Sequence, residues 1–250
     1  MKYALMSAAC FALLAMTLPP KKKITLWLIG DSTMSVKATK AYPETGWGMP
    51  FVYFWDSTVA VDNRAQNGRS TRSFIQENRW QPVLDNMQEG DYAFIQFGHN
   101  DEVPTKSTYT TEAEFAANLT KYIQDTRSKK GIPVLITPVA RRKFDTTGKV
   151  QCTHELYSAI VRKVAGENNT VLIDLDQLSQ QLLQQWGEEK SNYLFNHLQP
   201  GEHPNYPAGK DDNTHFNELG ARVMAQLVLK SIKDLQLELA GRVVAMPGKK

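Results

Sequence analysis

A chain of 250 residues with 42% hydrophobic and 22% charged residues can build one domain around its own core, which excludes a disordered or fibrous protein. Its net charge of +3 is dispersed apart from the run Lys21 to Lys23, so no basic face for nucleic acid is expected. Two cysteines, Cys10 and Cys152, exclude a disulfide-built scaffold.

Residues 1–20 begin with Met1-Lys2, continue through an apolar stretch from Tyr3 to Leu18 and end in Pro19-Pro20. This pattern reads as a signal peptide for export. The run falls short of the roughly 20 apolar residues of a membrane span, and lysines follow it directly. A secreted or periplasmic, monomeric protein with no stable membrane insertion after processing is expected. Removal of the signal takes Cys10 and leaves Cys152, read as a small buried apolar residue.

Five short runs have the β-branched and apolar character of buried strands: Ile24–Ile29, Thr58–Asp62, Tyr92–Phe97, Pro133–Thr137 and Val171–Asp174. Helical spacing lies between them, as in Phe115, Leu119, Tyr122 and Ile123, in Leu156, Ile160, Val161 and Val164, and in Leu178, Leu182 and Leu183. Strand and helix alternate. Strands apolar on both faces and joined by helices predict an α/β fold, a three-layer sandwich with a parallel sheet covered on both sides. The Pro-, Gly-, Asn- and His-rich stretch Tyr193–Asp212 reads as the one long loop. The last helix is expected over Asn217–Lys233, with Leu219, Val223, Leu227 and Val228 on its apolar stripe. The domain then covers 21–234, followed by a tail at 235–250.

Ligands of parallel α/β sheets bind beyond the carboxyl ends of the strands. There the chain places Gly30-Asp31-Ser32, the loop with Gly68, Gly98-His99-Asn100-Asp101, Pro138 to Arg142, and Asp212-Asn213-Thr214-His215. A serine hydroxyl needs a base to attack an ester, and that base needs a partner to fix its tautomer. Ser32 is the candidate nucleophile, with His215 as base and Asp212 as its partner, three residues away on a turn entering the last helix. The oxyanion needs preorganised donors; the Ser32 amide, the Gly68 amide and the Asn100 side chain are the candidates. Each residue alone has a structural reading. Ser32 and Asn100 suit helix caps, Gly68 suits a turn, and Asp212 with His215 suits a capping group. Their coincidence on four loops at one sheet edge favours acyl transfer.

His197, His203, Glu202, Asp211 and Asp212 cluster in sequence, but no His pair has the helical spacing of many zinc sites. No metal is expected. His99 is read as shaping the site without transferring protons, and His154 as surface or structural. Trp47 and Trp55 lie in or near apolar runs and read as core.

These blocks resemble the SGNH, or GDSL, hydrolases, named for a Ser, Gly, Asn and His in four separated segments. Here they are Gly30-Asp31-Ser32, with Thr33 in place of the commoner leucine, then Gly68, Gly98-His99-Asn100-Asp101 and Asp212-Asn213-Thr214-His215. Within that family the chain is most similar to the rhamnogalacturonan acetylesterases, from about Lys23 to Lys233. The likeness rests on Gly30 to Met34, Gly46-Trp47-Gly48, Asn67 to Phe74, Pro138 to Arg142 and Asp212 to Phe216. The resemblance implies a flavodoxin-like five-stranded sheet, an open site without a lid, no cofactor, and removal of acetyl groups from pectin. Arg69, Arg72, Arg141 and Arg142 stand on site-edge loops, where they suit galacturonate carboxylates. The alternatives are an esterase for another acyl ester (acetylated xylan, a lipid or peptidoglycan) and a non-catalytic carbohydrate-binding protein. A lipase calls for an apolar groove, which these arginine-bearing loops do not suggest.

Overall fold

The computed structural model describes residues 21–244. β1 (Ile24–Gly30), β2 (Val59–Asn63), β3 (Tyr92–Gln96), β4 (Ile132–Ile136) and β5 (Val171–Ile173) form a parallel sheet in the order β2-β1-β3-β4-β5. All five expected strands are present. Their registers align apolar residues on each face, with Leu28 beside Phe94 and Phe94 beside Val134.

Alternation along β1 divides the core in two. Leu26 and Leu28 face one side, where they pack with residues of α1 (Gly48–Phe51), α6 (Leu175–Ser191) and α7 (Glu218–Asp234). Trp27 and Ile29 face the other, with α2 (Thr71–Gln76), α3 (Gln81–Asn86), α4 (Glu112–Ser128) and α5 (Glu155–Glu167). Both sheet faces are therefore dry, which is why β3 is buried at every position. The chain passes from β1 outward to β2 and then crosses back past β1 to β3, so the strand order reverses between β1 and β3. That reversal opens a crevice at their carboxyl ends.

Two helical stripes differ from expectation by about one position. In α7 the buried residues are Gly220, Ala221, Met224, Ala225, Val228, Ser231 and Ile232, while Leu219 is exposed. Leu156 of α5 is likewise exposed, and Tyr157 takes the inward place. Close backbone packing explains the first shift: a Cβ on Gly220 would stand 1.8 Å from the Leu194 carbonyl oxygen, so the small-residue face lies inward. Asn217 caps this helix by accepting the Gly220 amide at 3.0 Å.

The expected loop over 193–212 is partly a hairpin. β6 (Phe195–Leu198) pairs antiparallel with β7 (Lys210–Phe216). Lys210 to His215 lack apolar alternation, so pattern alone does not mark them as a strand. Backbone pairing and the buried rings of Phe195 and Phe216, 5.2 Å apart, hold them in place. Beyond α7, Glu238–Arg242 form a 3-10 turn with buried Leu239, and Val243 bridges Trp55. Residues 1–20, which carry the expected signal, and the chain end 245–250 lie outside the described residues. Among the described residues no helix is long and apolar enough to cross a membrane.

Candidate active site

β1 runs out at Gly30, and the chain turns at once. The Asp31 carboxylate stabilises that turn through Oδ1, which accepts the Thr33 amide and hydroxyl, both at 2.9 Å. Ser32 sits at the tip of the turn and caps no helix. Among the described residues its hydroxyl has one partner: Ser32 Oγ lies 2.9 Å from His215 Nε2.

His215 comes from β7, not from a turn at the helix entry. Adjacent residues Asn196 and Phe195 pair with Asp212 and Phe216, so Asn213 to His215 bulge out of the ladder. The bulge folds His215 back over Asp212. Asp212 Oδ1 accepts the amides of Thr214 and His215 at 2.8 and 2.9 Å, and Oδ2 accepts from His215 Nδ1 at 2.9 Å. Burial works to raise the Asp212 carboxyl, but the imidazole and the two amides outweigh it and hold it well below the usual carboxylate range. An ionised Asp212 keeps the proton on Nδ1, leaving Nε2 to accept from Ser32.

Asn100 stands on the loop after β3. Its Nδ2 donates to the Arg69 carbonyl at 3.0 Å, and its Oδ1 accepts from Lys106 Nζ at 2.8 Å. An ammonium only donates, so it fixes which way the amide faces. Gly68 has a φ of +76° and open space where a Cβ would stand. That left-handed conformation favours glycine and leaves the backbone approachable. Among the described residues neither the Ser32 nor the Gly68 amide meets an acceptor. The site thus joins a hydroxyl, an oriented imidazole and several N–H donors, which are the parts acyl transfer requires.

A buried layer beneath these residues is less evident from sequence. Asp31 Oδ2 lies 3.3 Å from His99 Nδ1, and the His99 ring stands 4.3 Å from that of His154. His154 Nδ1 meets Glu102 Oε2 at 2.9 Å, Glu102 Oε1 lies 3.5 Å from an Arg141 nitrogen, and Arg141 donates to Thr214 Oγ1 at 2.7 Å. The path closes from the residue before Ser32 to the residue before His215. Burial and the neighbouring His154 push the His99 imidazole pKa down, which keeps the ring neutral. Burial tends to raise the Asp31 carboxyl, yet His99 and Thr33 together hold it below the usual range. His154 is thus buried and not on the surface, and His99 lies against the turn that carries Ser32, its ring nitrogens making no hydrogen bond among the described residues.

Asp101, next to Asn100, is fully buried. Its Oδ1 accepts from the Thr71 amide at 2.9 Å and hydroxyl at 2.6 Å, while Oδ2 has no partner among the described residues. Burial, as the largest cause, pushes its pKa up to about 7. The folded state then keeps a proton that the unfolded chain releases near pH 4. Folding stability falls as pH rises from about 4 to about 7 and stays low above that. Asp101→Asn removes this titration, so its Tm should exceed that of the wild type above neutrality by several degrees, corresponding to a few kcal/mol, and not at pH 4. Thermal melts across pH test this, and parallel curves for the two proteins would refute it.

The four arginines engage the protein's own groups. Arg69 pairs with Glu77 at 2.9 Å and donates to the Asn67 carbonyl at 2.8 Å, and Arg72 donates to the Ser107 carbonyl at 2.7 Å. Arg142 donates to Asn213 Oδ1 at 2.9 Å and to the Glu188 carbonyl. Trp47 and Trp55 are core, and the Trp47 indole donates to Gln96 Oε1 at 2.6 Å. Cys152 is exposed, contrary to expectation, because it lies in the loop before α5 and not on the helix's apolar face.

The model of the GDSL-like lipase/acylhydrolase family matches residues 28–223. The chain is 40% identical over 230 residues to the rhamnogalacturonan acetylesterase RhgT of Bacillus subtilis, covering 92% of this chain and 98% of the relative. A probable rhamnogalacturonan acetylesterase of the same organism, YesY, is 34% identical, covering 88% and 97%. Among solved structures, Bacillus subtilis YxiM superposes with a TM-score of 0.76 at 27% identity, covering 88% of this chain and 59% of that one.

Proposed function

The chain belongs to the GDSL-like lipase/acylhydrolase family, and from that premise we propose that it is a serine esterase removing O-acetyl groups from rhamnogalacturonan. The observation that carries the chemistry is the chain of contacts from Asp212 Oδ2 to His215 Nδ1 and from His215 Nε2 to Ser32 Oγ, each 2.9 Å. Ser32 Oγ attacks the acetyl carbonyl carbon and gives its proton to His215 Nε2. The resulting oxyanion takes hydrogen bonds from the Ser32 and Gly68 amides and the Asn100 side chain. As the intermediate collapses, the sugar oxygen leaves with the proton from His215. Water then repeats the attack on the acetyl-serine, releasing acetate and restoring the hydroxyl.

The substrate reading draws on the 40% identity that spans nearly the whole of a rhamnogalacturonan acetylesterase. A polar cleft agrees with it. This cleft of about 530 Å³ is lined by residues including Arg142, Asn192, His197, Lys210, Asp211 and Asn213, and it falls in the size range of small-molecule sites. Lys210 Nζ, on the cleft wall, lies 3.5 Å from Asp212 Oδ2, so the cleft neighbours the carboxylate end of the triad. Its amide, imidazole and charged walls suit sugar hydroxyls, and they offer no groove for a fatty chain. The apolar N-terminal stretch supports export to the compartment where pectin is degraded.

Acetate release from a panel of acetylated polysaccharides tests the assignment. Acetylated rhamnogalacturonan is expected to exceed acetylated xylan by at least roughly tenfold in kcat/KM. Xylan as the better substrate would overturn the substrate reading and leave the serine mechanism standing.

A further inference from the structure

Two lysine ammonium groups hydrogen-bond to asparagines at the proposed oxyanion donors, Lys37 to Asn67 beside Gly68 and Lys106 to Asn100 itself. The Lys37 side chain is only 1% exposed; its Nζ lies 2.7 Å from Glu44 Oε1 and donates to Asn67 Oδ1 at 2.9 Å. The same Asn67 oxygen accepts from Ser35 Oγ at 2.5 Å, and Ser35 Oγ also reaches the Ser32 carbonyl at 3.2 Å. Asn67 immediately precedes Gly68. This ties the Gly68 loop to the turn that carries Ser32. Lys106 Nζ in turn holds Asn100 Oδ1 at 2.8 Å, directing Nδ2 away from itself.

A buried ammonium is costly. Burial pushes the Lys37 pKa down, and the Glu44 carboxylate, with smaller help from Asp31 and Asp212, works against it. Replacing a buried ion pair with apolar side chains is often neutral or stabilising, so stability alone does not account for the pair. Its hydrogen bond to Asn67 does something an apolar pair cannot: it supplies a donor-only group that holds one amide orientation. Lys106 does the same from an exposed position, where packing contributes little.

We propose that Lys37 and Lys106 are positioning residues, which orient Asn67-Gly68 and Asn100 so that their N–H groups converge on the developing oxyanion. The inference rests on the reading of Gly68 and Asn100 as oxyanion donors. Neither lysine touches the reacting atoms; each acts through an asparagine.

The test measures kcat, KM and Tm on a chromogenic acetate ester for Lys37→Met, for the double variant Lys37→Met with Glu44→Gln, and for Lys106→Met, Lys106→Arg and Asn100→Ala. Asn100→Ala is expected to lose about a hundredfold or more in kcat. Lys37→Met should lose Tm and kcat together, because it strands the Glu44 charge. The double variant should recover Tm while kcat stays about ten- to a hundredfold low, the scale of a small misplacement of catalytic groups. Lys106→Met should lose kcat with KM unchanged within about twofold, and Lys106→Arg, another donor-only cation, should recover most of the loss. A double variant whose kcat returns with its Tm overturns the assignment for Lys37. Wild-type kcat in Lys106→Met overturns it for Lys106. Wild-type kcat in Asn100→Ala would instead bring down the donor reading itself.

Discussion

Ser32→Ala is expected to lower acetate release, from polysaccharide and chromogenic ester alike, by on the order of a million-fold, because no other group can take over the covalent step. Among the described residues the hydroxyl has no structural duty that confuses this result. It caps no helix, and the turn is held by Asp31, whose carboxylate accepts the Thr33 amide and hydroxyl. Losing the one contact from Ser32 Oγ to His215 Nε2 should change stability by no more than about 1 kcal/mol. A fluorophosphonate should label the wild type at Ser32 and leave the variant unmodified. Activity surviving in Ser32→Ala would end the serine mechanism, and a wild type that resists the label while binding sugar would favour a non-catalytic carbohydrate-binding protein.

The strands were legible because both faces of this sheet are dry, so a short apolar run sufficed to mark each. The site's first layer was legible for a related reason. The strand order reverses between β1 and β3, so residues that directly follow those strands, Ser32 and Asn100, reach the same crevice. Other parts were hidden by physics that a linear pattern does not carry. Leu219 looks inward by spacing, but the close approach of Gly220 to the Leu194 carbonyl turns the smaller residues of that helix inward. β7 is a strand made by backbone pairing beneath polar side chains, and its bulge is set by a partner strand 12 or more residues away. Glu102 and His154 are 52 residues apart and meet only in three dimensions. Lys37 resembles any surface lysine in a list of residues. Its burial depends on Glu44 and Asn67 arriving from different loops.

Asp212→Asn should cost about four orders of magnitude in kcat, for reasons of tautomer and not of charge alone. Asp212 accepts three donors: two backbone amides on Oδ1 and His215 Nδ1 on Oδ2. Asparagine has one oxygen, and the two amides, fixed by the bulge, hold it. Its NH2 then faces His215 and asks Nδ1 to accept, which moves the ring proton to Nε2 and points it at Ser32. Such an imidazole cannot take the serine proton. The wild-type carboxylate, held well below the usual range, is ionised at every pH above about 4, so ordinary assay conditions do not reproduce the variant's defect. The neighbouring Asp211 supplies the control. It is exposed and pairs with His197 Nδ1 at 2.9 Å on the cleft side of the hairpin, so Asp211→Asn should leave the loss on the chromogenic ester below about tenfold. If Asp211→Asn were the crippled variant and Asp212→Asn the active one, the imidazole would take its orientation from the other carboxylate, and the bulge that folds His215 over Asp212 would have no part in the chemistry.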